Sequence, residues 1–229
     1  MKNIILFDDD FRENFLPLVY HRPVGELKIG AMQISEKWQY YSKDPISYIT
    51  QDYLVDKYSI YISDDNILVN ARLMPNERII RLISDLDYKE SLMLRDQLLA
   101  IRLGKSEFKA LIEDDEIGDF KGIDIESTPV EMIKDLTDLF RLNGVEIQKE
   151  YDRLTFKRES KELDSTNTLI GDPKNLFIEE GARILNSSIN VENGPVYIGS
   201  GAEVMEQCMI RGPLVLSQNA TLKMGTKIY

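Results

Sequence analysis

The run Ile198-Gly199-Ser200-Gly201-Ala202-Glu203-Val204-Met205-Glu206-Gln207-Cys208-Met209-Ile210 decides the fold of the C-terminal part of the chain. Its aliphatic residues Ile198, Val204 and Ile210 recur every six positions, and the series continues through Leu216, Leu222 and Ile228. Four places after each of the first five stand Ala202, Cys208, Leu214, Ala220 and Thr226, mostly small. Neither helical nor alternating-strand periodicity produces a period of six. A coil of three short strands, six residues to a side, does produce it. The aliphatic residue fills the triangular interior, and the small one sits near a corner where space is short. The pattern predicts a left-handed parallel β-helix; chance periodicity at the edge of a β-sandwich is the competing reading. Ile178 and Ile184, with Ala182 and Ser188 in the small positions, extend the series backward. Ile184 to Ile198 spans fourteen residues, two hexads plus two, so an insertion is expected near Glu192-Asn193-Gly194-Pro195.

Glycine and charge divide the chain in the same place. Seven of the 13 glycines in the 229 residues lie at or after Gly171, where only six acids and five bases stand. The net charge of −11, from 39 acids and 28 bases, therefore belongs almost wholly to the upstream part. That excess argues against nucleic acid or an anionic membrane as a partner. With 43% apolar and 29% charged residues the composition is that of a soluble globular protein. Cys208 and His21, each single, rule out an internal disulfide and a minimal zinc set. No apolar stretch approaches the roughly 18 residues of a membrane span, and the opening apolar run is too short for a signal peptide. A cytoplasmic location is the expectation.

The upstream part reads as alternating α/β. Residues 3–7 predict a buried strand. Leu27, Ala31, Ile34, Trp38 and Tyr41 fall on one helical face, and short strands are expected at 46–49, 58–62 and 67–70. Asn76 can cap a helix facing inward through Ile79, Leu82, Ile83 and Leu86. Leu92 to Leu103 reads as either a strand pair or one long strand, and Glu113-Asp114-Asp115-Glu116 as a solvated loop. Thr128-Pro129-Val130-Glu131 is a helix start with capping-box spacing. It would put Met132, Ile133, Leu136, Leu139 and Phe140 inside and end at Asn143-Gly144. The polar residues 157–170 are expected to separate an α/β domain, 1–165, from a β-helix, 170–229.

An α/β front followed by hexapeptide coils resembles the bifunctional enzymes that make UDP-N-acetylglucosamine. In those a sugar-1-phosphate nucleotidyltransferase domain precedes an acyltransferase β-helix. The opening Asn3-Ile4-Ile5-Leu6-Phe7-Asp8-Asp9 carries the match, as do Arg12, Leu16-Pro17-Leu18, Arg22-Pro23-Val24 and Ile29-Gly30. So do Val69-Asn70-Ala71-Arg72, Gly194-Pro195-Val196-Tyr197-Ile198-Gly199 and Arg211-Gly212-Pro213. The resemblance spans essentially the whole chain and implies a Rossmann-like nucleotidyltransferase sheet followed by the start of the β-helix.

It also implies a chemistry, in which a sugar-phosphate oxygen attacks the α-phosphorus of a nucleoside triphosphate and pyrophosphate leaves. Such transfer runs on positioning and charge neutralisation. By resemblance Arg12 and Arg22 are the catalytic cations, and Asp8, Asp9, Asn70 and Arg72 the substrate-binding residues. Asn70 would be a Mg²⁺ ligand at the strand end where the family places an aspartate. The residues themselves leave alternatives open: the arginines as balance for Asp8, Asp9 and Asp10, and Asn70 as a turn residue. The chain departs from the family in having no glycine in 8–14. The family's acetyl transfer uses a later histidine, and none follows His21. Acetyl-CoA is thus expected only in a longer protein, and the β-helix is read as cut before its catalytic coils. Nucleoside triphosphate and sugar 1-phosphate are the expected partners, with a homotrimer through a complete β-helix. The rival expectation is a non-catalytic sugar-nucleotide-binding or oligomerisation module.

Overall fold

In a computed structural model, residues 3–114, 121–126 and 129–229 are described. By contacts the chain forms two compact units. One runs from the N-terminal strand to Lys28 and continues over Met32–Leu139; the other comprises Ile29–Ala31 and Phe140–Tyr229.

The strands and helices of the front part follow in the order β1 (Asn3–Phe7), β2 (Lys28–Ile29), β3 (Met32–Gln33), α1 (Ile34–Gln39), β4 (Ser47–Ile49), β5 (Asp65–Asn70), α2 (Glu77–Ser84), β6 (Glu90–Leu94), β7 (Gln97–Gly104), α3 (Lys105–Asp114) and β8 (Lys121–Asp124). Six of the strands form one mixed sheet in the order β4-β1-β5-β7-β6-β8. β4, β1 and β5 run parallel, and β7 is antiparallel to both β5 and β6. β1 is central and covered on both faces, which explains its unbroken apolar run. Ile5 packs with Leu68, Ile101, Leu103 and Phe108 on one face. Ile4 and Ile67 face Trp38, Ile80 and Ile83 on the other. The expected strand at 3–7 and the α/β class agree with this sheet, and Asn76 caps α2 by accepting from the Ile79 N–H at 2.9 Å.

Several local expectations are corrected. The helical face from Leu27 to Tyr41 shrinks to α1, because Gly30 at φ +74° turns the chain between β2 and β3 instead. Residues 58–62 form no strand; the Tyr61 carbonyl is taken by the Asn3 side chain at 2.7 Å. Leu92 to Leu103 is a strand pair, β6 and β7. Glu113 and Asp114 end α3, while Asp115 and Glu116 lie outside the described residues. So does Thr128, and no helix begins at Pro129. Met132 instead bridges Leu73, and the Ile133 N–H donates to the Arg72 carbonyl at 3.0 Å. The helix, α4 (Leu136–Thr155), starts seven residues after Pro129. Asp135 accepts the Thr137 N–H at 2.7 Å and Asp138 accepts that of Lys134 at 2.9 Å, a second capping pair that wins. α4 runs through Asn143-Gly144, and Phe140 is 85% exposed rather than inward.

In the second unit ten short strands follow: β9 (Thr168–Ile170), β10 (Leu176–Ile178), β11 (Arg183–Ile184), β12 (Ser188–Asn190), β13 (Val196–Ile198), β14 (Glu203–Val204), β15 (Met209–Arg211), β16 (Leu214–Leu216), β17 (Thr221–Leu222) and β18 (Lys227–Ile228). They visit three parallel sheets in rotation: β10-β13-β16, β11-β14-β17 and β9-β12-β15-β18. The polar stretch 157–170 thus contains β9. Ile178, Ile184, Ile198, Val204, Ile210 and Leu216 share one core with Ala182, Ala202 and Cys208.

Register explains the broken spacing. Val196 pairs Leu214 eighteen residues on, whereas Leu176 pairs Val196 at twenty. The extra residues lie in the connection 191–195, where Glu192 to Pro195 marked them. Between β11 and β12 the chain is one residue short relative to the next turn. Ile189 is therefore interior, and Ser187, not Ser188, takes the small buried position. The Ser187 hydroxyl accepts the Cys208 N–H at 3.1 Å.

Candidate functional site

β1 and β5 end together, with Phe7 opposite Asn70. In open parallel α/β sheets, groups leaving the carboxyl ends of adjacent strands are placed to meet ligands. Here those groups are Asp8 and Asp9 from β1 and Asn70 and Arg72 from β5.

Asp8 points into the fold. Its Oδ1 accepts the Val24 N–H at 2.9 Å and its Oδ2 the Thr50 hydroxyl at 2.6 Å. Arg12 Nε stands 3.3 Å from Oδ2, with side chains only 8% (Arg12) and 3% (Asp8) exposed. Burial pushes the Asp8 carboxyl above its usual value, against the pull of Thr50, Val24 and Arg12. The Arg12 guanidinium also donates to the Val19 carbonyl and to the Tyr53 hydroxyl, the latter at 3.0 Å.

Asp9 caps the 3-10 turn Asp10–Phe15, accepting the Phe11 N–H at 3.2 Å. Its carboxylate is gripped by Arg72, from Nε at 2.9 and 3.1 Å and from Nη2 at 2.6 Å. Asn70 Nδ2 donates at 2.8 Å, and Gln97 Nε2 stands 3.5 Å away. Burial opposes its charge, but the Arg72 and Asn70 hydrogen bonds win and hold the Asp9 carboxyl below its usual value. Arg72 is itself fixed: Nη1 donates to the Ile133 carbonyl at 3.1 Å, and the guanidinium lies 4.5 Å over the Phe11 ring.

Asp8, Asp9, Arg12, Asn70 and Arg72 are therefore gathered at the carboxyl ends of β1 and β5, in two adjacent ion pairs. Arg22 is half-buried, and its hydrogen bond is with the adjacent His21 at 2.8 Å. The donor set at Asn70 does not fit a divalent cation. Mg²⁺ needs several oxygen ligands with free lone pairs, but both Asp9 oxygens are taken by N–H donors, which leaves Asn70 Oδ1, itself accepting the Arg72 N–H at 3.0 Å, as a lone neutral oxygen. Among the described residues no three His, Cys, Asp or Glu side chains cluster to hold a metal. Sequence reasoning missed Thr50, Tyr53, Phe11 and Gln97. These polar and aromatic residues carry no local signal, because the side chains they meet, Asp8, Asp9, Arg12 and Arg72, lie far from them in sequence.

No helix among the described residues is long and apolar enough to cross a membrane. Comparison with curated proteins gives no match. The family model described as sugar nucleotidyl transferase matches residues 4–159, well over half of the chain and all five of the gathered residues. The chain belongs to the sugar nucleotidyl transferase family.

Proposed function

We propose that the chain joins a nucleoside triphosphate to a sugar 1-phosphate with loss of pyrophosphate, making a sugar nucleotide of the UDP-N-acetylglucosamine type. The observation that carries this reading is the pair of guanidinium groups, Arg12 and Arg72, beside the carboxyl ends of β1 and β5. A guanidinium fork matches two phosphate oxygens, and neutralising the phosphate chain is the main demand of this chemistry. Arg72, the more accessible of the two ion pairs through its partner Asp9, is the residue that grips phosphate. Arg12 supports the loop from within. Mg²⁺ belongs to this reading as a companion of the triphosphate, not as a ligand of Asn70.

The test is pyrophosphate release with UTP and N-acetylglucosamine 1-phosphate in the presence of Mg²⁺. Arg72→Lys keeps the charge but loses the bidentate fork. It is expected to lower turnover by about 10²-fold, on the scale of one lost transition-state donor. Equal turnover in the two proteins would refute the assignment.

A second reading, a non-catalytic sugar-nucleotide-binding module, is favoured by one observation: both arginines are already engaged by the chain's own carboxylates. Calorimetry with UTP and UDP-N-acetylglucosamine, with and without Mg²⁺, separates the two. Binding that needs no Mg²⁺, with no turnover, selects the module.

For the tail we propose a left-handed β-helix of acyltransferase type, supported by the hexad core and the three parallel sheets. With no histidine after His21, it carries no histidine base for acetyl transfer. Where such a β-helix is complete we propose that it assembles as a trimer, with a solution mass by sedimentation three times that of one chain. A monomer at micromolar concentration contradicts it.

A further inference from the structure

The donors beside the carboxyl ends of β1 and β5 converge on a single carboxylate. Arg72 Nε and Nη2, Asn70 Nδ2 and the Phe11 N–H all point at Asp9, with Gln97 Nε2 at 3.5 Å. Two of the donor groups, those of Arg72 and Asn70, are held by contacts of their own. Arg72 is anchored by the Ile133 carbonyl and the Phe11 ring, and Asn70 by the Leu98 carbonyl at 3.3 Å and the Arg72 N–H. Asp9 is held differently. It stands in the loop between β1 and the 3-10 turn, with extended backbone, and its side chain keeps 18% of its surface in solvent. The side-chain donors of Arg72 and Asn70 form a cup anchored outside the Asp9 segment, by the Ile133 and Leu98 carbonyls, whereas Asp9 and the Phe11 N–H lie together on the segment that follows β1.

We infer that this cup is an oxoanion seat occupied by the protein's own Asp9, which must withdraw before a phosphoryl group can enter. A carboxylate presents two oxygens to the guanidinium fork, as a phosphoryl group does, so Asp9 competes for the same donors. A phosphate brought beside an undisplaced Asp9 would meet a like charge at a poorly screened site. The contact is thus self-occluding, and it sets affinity by the population of the withdrawn loop. This inference rests on the proposed function for the identity of the ligand, a phosphoryl chain. It does not rest on turnover.

The experiment is calorimetry on the full chain with inorganic pyrophosphate, UTP and uridine as probes. Asp9→Ser removes the carboxylate and leaves the cup. It is expected to tighten pyrophosphate binding by at least about tenfold, the scale of one charge-assisted hydrogen bond. Adding Arg72→Ala should abolish the gain. UTP gaining with pyrophosphate, and uridine not gaining, assigns the effect to the phosphoryl chain. A folded Asp9→Ser protein that binds pyrophosphate no better than the parent overturns the inference, as does a gain that survives Arg72→Ala. Should Asp9→Ser fail to fold, the parent protein supplies the readout by NMR. Excess pyrophosphate is expected to shift the Arg72 Nε–H resonance, whereas sodium chloride of equal ionic strength leaves it in place. A resonance unmoved by pyrophosphate also overturns the inference. Gain of binding without turnover in either form keeps the seat and removes the enzyme; turnover in the parent with no gain does the reverse.

Discussion

Arg12→Ala is expected to cost the fold about 3 kcal/mol, the scale of breaking a buried ion pair from one side. The loss has three sources. Asp8, with a side chain only 3% exposed, is left with Thr50 and Val24 but no opposite charge. The Val19 carbonyl and the Tyr53 hydroxyl lose their donor. The alkyl stem of a nearly buried side chain leaves a gap. Urea unfolding at neutral pH measures it, and a loss under about 1 kcal/mol would return Arg12 to the class of surface arginines. Asp8→Asn added to Arg12→Ala is expected to restore part of the stability, because it removes the charge that lost its partner.

The pH dependence gives a second check on the same pair. Burial already holds the Asp8 carboxyl above its ordinary value, and removing Arg12 raises it further. A carboxyl raised in the folded state binds its proton more tightly there than in the unfolded chain. Its contribution is therefore full in acid and is lost as pH rises through the folded value. The deficit of Arg12→Ala should be full at neutral pH and shrink toward about pH 4, where unfolded aspartates titrate. Asp9 runs the other way: lowered by Arg72 and Asn70, it stabilises above the ordinary carboxylate value and loses that contribution as pH falls through its own. A deficit that stays constant down to acid pH would mean that Asp8 is not the group left exposed to the loss.

What was legible in the sequence is what is decided locally. The period of six was readable because each interior position is filled by one residue of its own hexad, and Ile198, Val204, Ile210 and Leu216 do share a core. Asn76 was readable because a cap and the N–H it accepts lie three residues apart. The helix expected from Thr128 failed because two capping pairs compete within ten residues. The choice between them is made by Arg72, Leu73 and Met74, which hold 131–133 in extended pairing from some sixty residues away. The site failed and succeeded in the same way. Its five gathered members, Asp8, Asp9, Arg12, Asn70 and Arg72, were named through the resemblance, and the pairing of β1 with β5 brings them together. Their pairing was not readable: Arg72 and Asp9 are 63 positions apart. The hydrogen bond found for Arg22 is with its sequence neighbour His21, not with these five.

Gly212→Ala is expected to be the most damaging single-methyl change in the tail. Gly212 stacks on Gly194, one turn below, at the corner where the chain inserts its extra residues. A Cβ on Gly212 would overlap the Gly194 carbonyl oxygen, lie 2.8 Å from its carbon and 3.0 Å from the Pro195 oxygen. All are backbone atoms, so no rotamer relieves the clash. The backbone has little freedom to yield, because the Gly212 N–H donates to the Asn190 carbonyl at 2.9 Å and the Leu214 N–H to that of Pro195 at 2.9 Å. Opening the corner breaks one of these bonds or strains both, at about 3 kcal/mol, the upper part of the overpacking range. Gly225→Ala is the control. Its φ of +74° lies in the left-handed region, but nothing stands within 4 Å of its Cβ direction, so the cost is about 1 kcal/mol of backbone strain alone. Urea unfolding of the two variants reads the difference. Equal losses would mean that the glycines of the tail serve backbone conformation only. A loss concentrated at Gly212 means that glycine at this corner is required by the close approach of successive turns.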